Sequence, residues 1–294
     1  MMRVIYMLLC FLLLLCYACA NKNGDKTEKS IVIQEETKPF LTKEQQVLKN
    51  SQQLEEQKNA YSMRMYNILN RAILKANPHL KKERYETHYE EFEDSLSTVT
   101  IRISIGHLFS EKERHLLIAR SDMGEIYHNI YVIKKNDIET VLENKHWKIT
   151  YISDTIQDIN GDNLKDFVIN GYGSSGCCLK AFSEVFILKK DNRSFSDRYH
   201  FINPTFSPKE HLIKGICYGH LGETEMYKYK WNEEAIDTIE FISFQKNKLG
   251  EKTGNIIRSN KRFWIEKGKK DIIVTKIPKE YREIYGFDWF MGKI

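Results

Sequence analysis

Residues 97–105 read STVTIRISI, with Val99, Ile101, Ile103 and Ile105 alternating with Thr98, Thr100, Arg102 and Ser104. Successive side chains of an extended chain point to opposite faces, so a period of two marks a strand with one apolar face. The same alternation recurs in HLLIARS (115–121) and EIYHNIYVIKKND (125–137), and HWKITYIS (146–153), KDFVINGY (165–172) and SEVFILKKDN (183–192) are further strand candidates. So are HLIKGICYG (211–219), EMYKYKW (225–231), DTIEFISFQ (237–245) and DIIVTKI (271–277). Asn, Asp, Gly and Pro turns separate these segments, and no βαβ rhythm interrupts them. Residues 79–294 are thus predicted to be mainly β, with antiparallel sheets in a small propeller-like or sandwich-like domain. The acidic-aromatic run RYETHYEEFED (84–94) fits either a helix or a strand, with its charges on a solvated face.

Upstream, residues 41–78 predict one long N-terminal helix over about 43–76. Thr42 and Gln45 have capping-box spacing, Leu54, Tyr61, Met65, Ile68 and Leu69 form the apolar stripe, and Asn77-Pro78 ends the run. The chain is 41% hydrophobic and 12% aromatic, enough for a sizeable core. Its formal charge of +5 comes from interleaved acidic and basic residues, without the basic face that nucleic acid requires.

The first residues, MMRVIYMLLCFLLLLCYAC, combine Arg3, an uncharged apolar stretch over 4–17, and small Ala18 before Cys19. This resembles a bacterial lipoprotein signal over residues 1–19, which implies lipid on Cys19 and a flexible tether over 20–40. Cys16 stands where such signals usually carry Leu, so simple secretion stays open, as does an uncleaved anchor helix. Each reading places the rest outside the cytoplasm. The expected location is a bacterial envelope, the outer membrane in particular, facing the periplasm or the surface, with the membrane held through that lipid.

Between two strand-like segments lies DINGDNLKD (158–166). Asp158, Asn160, Asp162 and Asp166 occupy relative positions 1, 3, 5 and 9, and Leu164 at position 7 can lend its carbonyl. Alternating hard oxygens in a tight loop suit Ca²⁺. Asn163 replaces the usual glycine at position 6 and tolerates a left-handed backbone. Ile169 stands where an EF-hand carries its bidentate Glu. The stretch is similar to the calcium loop of FG-GAP or integrin-type β-propeller repeats, which implies a structural Ca²⁺. A propeller blade takes about 40–50 residues, so this chain holds room for only a few.

Gly171, Gly173 and Gly176 spell a dinucleotide fingerprint, but a strand-like segment follows instead of the required helix, so no nucleotide is expected. Tyr172, Ser174 and Ser175 then make a candidate partner-binding loop. Of six cysteines, Cys177, Cys178 and Cys217 follow the leader. Adjacent cysteines on an extended chain point apart, so the expectation is a disulfide from Cys177 or Cys178 to Cys217, leaving one odd thiol. A zinc site is conceivable but lacks C-x-x-C spacing.

No H-E-x-x-H, P-loop or evident acid–base pair is present. The expected function is therefore non-enzymatic: a lipid-anchored envelope protein whose Ca²⁺-stabilised β domain binds a macromolecular or glycan partner. Two alternatives stand beside it. One is an inhibitor or immunity protein against a cell-wall hydrolase, since the chain loosely resembles periplasmic lysozyme-inhibitor lipoproteins. The other is a hydrolase with dispersed catalytic residues.

Overall fold

The computed structural model describes residues 42–94, 97–135 and 137–293. The expected signal, tether and lipidated Cys19 lie outside the described residues. The described residues fall into two units that divide between Gln57 and Lys58. In the first, the described part is the opening of helix α1 (Lys43–Ala76). Its capping box is formed: the Thr42 amide donates to Gln45 Oε1 at 3.0 Å, and the Gln45 amide to Thr42 Oγ1 at 3.2 Å. Leu54, expected in the apolar stripe, is exposed.

The second unit carries three antiparallel meanders, each joining strands in sequence order. The first contains β1 (Tyr85–Asp94), β2 (Ser97–Gly106), β3 (His115–Ser121), β4 (Glu125–Lys134) and β5 (Asp137–Trp147). The second contains β6 (Tyr151–Gln157), β7 (Asp166–Tyr172), β8 (Ala181–Phe186) and β9 (Tyr199–Ile202). The third contains β10 (Pro204–Ser207), β11 (Leu212–Ile216), β12 (Met226–Asn232), β13 (Ala235–Lys246), β14 (Lys252–Ser259) and β15 (Asp271–Val274). The mainly β expectation holds.

The alternation of side chains stacks these sheets face to face. Ile101, Ile103, Ile105, Leu116 and Ile118 pack on Met65, Ile68, Leu69, Ala72 and Ala76 of α1. The intervening Leu117 and Ile130 point the other way, into a core with Phe167, Ile169, Phe186 and Leu188 of the second sheet. Val168, Val185 and Ile187, one residue out of phase, pack on Ile213, Tyr227, Trp231 and Phe241 of the third. Ile216, Met226 and Ile242 face the tail, where Tyr281, Ile284 and Phe290 of α2 (Phe287–Met291) and the segment before it close the stack. A one-residue register slip in a central strand would exchange its two cores. The part of α1 from Lys58 onward covers one end of the stack and the tail the other, so the sheets form a layered sandwich rather than a propeller ring.

Two groups of paired polar side chains fasten the layers. Buried Arg120 donates to the Met65 carbonyl and, at 2.7 Å, to Asn129 Oδ1, pinning α1 to the first sheet. Glu240 receives Lys228 Nζ and Arg258 Nε, each at 2.7 Å, and the Tyr281 hydroxyl at 3.0 Å, which fixes the tail. Among the described residues, no helix is long and apolar enough to cross a membrane.

Candidate functional site

The acidic loop lies between β6 and β7, as its flanking alternation predicts. Asp158 folds the loop around itself: its Oδ1 accepts the Gly161 amide at 2.6 Å and its Oδ2 the Asn163 amide at 3.0 Å. Asp162 Oδ1 accepts the Leu164 amide at 2.8 Å, and its Oδ2 meets Asn160 Nδ2 at 3.1 Å. Asn163 takes the expected left-handed backbone, with φ of 68°. Gly161 has φ of 84°, and a Cβ there would stand 2.2 Å from the Pro208 carbonyl, so only glycine fits. The His211 ring nitrogen Nδ1 meets the Asn160 carbonyl at 2.6 Å, and Ile159 is buried between the second and third sheets. The loop therefore fastens one sheet to the next.

Asp166 differs from the other acids. It is fully buried, and its two oxygens accept the Ile159 and Leu188 amides, both at 2.9 Å. Burial pushes its carboxyl up to about 7, against those two amide bonds, and the charges of Asp162 and Asp158 push the same way. The five predicted positions offer only hard oxygens, a donor set that fits Ca²⁺. The carboxylates of Asp158, Asp162 and Asp166 are not, however, all within 4.8 Å of one another.

Beyond β7 the chain enters the glycine-rich turn, and β8 rather than a helix follows. Tyr172, Ser174 and Ser175 are exposed. The Tyr172 amide donates to the Thr150 carbonyl at 2.8 Å, which sets this turn beside the β5–β6 connection. There Trp147 is 67% exposed and Ile149 75% exposed, so exposed apolar side chains lie within a few residues of that contact. A register shift between Tyr151 and Ser153 bulges Ile152 outward as well, leaving it 62% exposed.

The expected bridge to Cys217 is not formed, and all three thiols are free. Cys217 is buried between the second and third sheets, where desolvation pushes its thiol up to about 12. Cys177 and Cys178 instead turn to the same side. Because the chain is turning rather than extended there, their Sγ atoms lie 3.8 Å apart. His220, from the β11–β12 connection, brings Nδ1 to 3.3 Å from the first sulfur and 3.9 Å from the second. Sequence spacing does not reveal this group, because its third member lies 43 residues beyond Cys177.

A second unforeseen group joins the first two sheets. The Asp154 carboxylate accepts from Arg102 and from the Tyr151 hydroxyl, with His128 Nε2 at 3.4 Å. Burial alone would raise that carboxyl, but His128, Arg102 and Tyr151 together hold it well below the usual carboxylate range. Arg102 and Asp154 line two neighbouring cavities of about 460 and 520 Å³.

No protein-family model matches the chain, and neither a curated protein nor a solved structure is similar to it.

Proposed function

We propose that the chain is a non-enzymatic, lipid-anchored envelope protein whose Ca²⁺-stiffened β domain docks a macromolecular or glycan partner. The observation that carries this reading is the paired display of Tyr172, Ser174 and Ser175 beside exposed Trp147, Ile149 and Ile152. Aromatic groups on fixed turns bind with little loss of side-chain freedom, and small polar neighbours adapt their hydrogen bonds. The layered core and the amide-clasped acidic loop hold those turns still. In the loop, Asp158, Asn160, Asp162, Asp166 and the Leu164 carbonyl are the ion's ligands. The ion supplies the positive charge that offsets three nearby carboxylates.

A photo-crosslinking residue at Ser174, with Leu249 as a control site that is 82% exposed, tests the docking face in cells. A discrete adduct at Ser174, absent at Leu249 and lost in a Trp147→Ala/Tyr172→Ala variant, supports the reading. Equal labelling at both sites, or an adduct indifferent to that variant, refutes it. If the captured species is a cell-wall hydrolase whose turnover falls on titration with the protein, the inhibitor reading is the correct form. The exposed serines of a narrow glycine turn favour that form, since such a turn enters a cleft.

A further inference from the structure

Cys177, Cys178 and His220 satisfy a geometric condition that the acidic loop does not. Among the described residues, theirs are the thiol, imidazole and carboxylate ligand atoms that fall within 4.8 Å of one another as a group. Zinc lies about 2.3 Å from sulfur and about 2.0–2.1 Å from imidazole nitrogen in tetrahedral sites, which sets two sulfurs about 3.8 Å apart and sulfur from nitrogen about 3.5 Å. The observed edges are 3.8, 3.3 and 3.9 Å. We propose that Cys177 Sγ, Cys178 Sγ and His220 Nδ1 form a binding site for Zn²⁺ or a similarly thiophilic divalent ion, with a fourth position open to solvent.

The two loops that supply the ligands are braced against each other. Fully buried Asn203 donates from Nδ2 to the Leu179 carbonyl at 3.0 Å and to the Ile216 carbonyl at 3.2 Å, joining the loop after Cys178 to the strand before Cys217. Trp289 Nε1 donates to the Gly219 carbonyl at 3.1 Å, and the Gly222 amide donates to the Trp289 carbonyl at 2.8 Å, so the tail holds the His220 loop. Gly286, with φ of 81°, lets the tail approach: a Cβ there would lie 2.4 Å from Leu179 Cδ2. Ligands fixed in this way lose little freedom when the ion binds.

Lys180 lies along the turn just before the pair, close enough that a Cβ on Gly176 would meet its Nζ at 2.5 Å. Thiolate is the form that binds metal. On binding, the two thiols release their protons to solvent, and His220 donates its Nδ1 lone pair as neutral imidazole. Cys177 and His220 are exposed while Cys178 is buried, so the open vertex faces water. That leaves a place for one exogenous ligand, as in sites with three protein ligands.

Cobalt titration of the full chain, reduced and kept under nitrogen, tests the site. One equivalent of Co²⁺ with thiolate-to-metal absorption in the near ultraviolet and intense tetrahedral bands in the visible is the expected result. Zn²⁺ should displace it stoichiometrically. Cys177→Ser and Cys178→Ser should each weaken these bands and the double variant abolish them, while His220→Gln lowers affinity roughly tenfold or more. Asp162→Ala should leave the bands unchanged, which separates this site from the acidic loop. Bands that survive the double cysteine variant would overturn the proposal, as would Co²⁺ binding without thiolate absorption. So would a fully reduced protein that takes up no Co²⁺.

Discussion

Replacing Asn203 with alanine should be among the most damaging single changes in the protein. Asn203 is fully buried, and its side chain gives its two amide hydrogens to the Leu179 and Ile216 carbonyls. A buried carbonyl left unpaired costs about 1–3 kcal/mol. Its backbone φ of 47° is left-handed, a conformation that costs alanine about 1–2 kcal/mol. Two such carbonyls and the backbone together place the loss at about 3–8 kcal/mol. Asn203→Gly removes the same bonds but relieves the backbone, so it should lose about 1 kcal/mol less than the alanine variant. Asn203→Asp replaces the donors with acceptors facing two carbonyls and should be at least as damaging as alanine. Equilibrium urea unfolding, with the denaturant slope checked for constancy, measures all three. An alanine variant within about 1 kcal/mol of the parent, or an aspartate variant equal to it, would show that the side chain is not what holds the two loops.

Three further outcomes follow from the same contacts. EDTA should lower the melting temperature and added Ca²⁺ restore it, with Asp162→Ala losing the response; a parent indifferent to both reagents removes the calcium reading. Burial of His115 lowers its imidazole to about 4 from an ordinary 6.5. The native state stays neutral while the unfolded chain takes a proton, so stability is full above pH 6.5 and falls as pH drops toward 4, by on the order of 3 kcal/mol. His115→Leu should flatten that part of the pH profile, and an unchanged slope would assign the acid lability elsewhere. Gly286→Ala should destabilise by about 1–3 kcal/mol through its left-handed backbone and the clash with Leu179, read by thermal unfolding.

Much of the β architecture is legible because each central strand must feed two cores or one core and solvent. The strand HLLIARS is read at its true limits, and the cap of α1 is read down to Thr42 and Gln45. Strand β5 (DIETVLENKHW) is missed because it is a half-solvated edge whose polar residues outnumber its apolar ones, and its end is misread as part of the next strand. Lys148–Thr150 in fact turn there. Strand β14 is missed because Gly254 interrupts the pattern. The acidic-aromatic run is β1, an edge strand on which Glu86 and Glu90 are exposed. At the sites, the acidic loop is legible since its residues are neighbours in sequence, and Asn163 adopts the conformation its side chain predicts. The Cys177–Cys178–His220 group and the Arg102–His128–Asp154 group are not, because tertiary packing alone brings their members together.

The order of the three meanders has a consequence for how the chain assembles. Every strand pairs with its immediate successor or predecessor, so each sheet can zip up from contacts close in sequence. A polypeptide delivered from its N-terminus can therefore complete one layer before the next emerges, leaving a single apolar face waiting at each stage. The last face, lined by Ile216, Met226 and Ile242, stays bare until Tyr281, Ile284 and Phe290 arrive. Nascent chains stalled before that point should be sticky, chaperone-bound intermediates, and residues 281–290 act as the latch that ends their vulnerability.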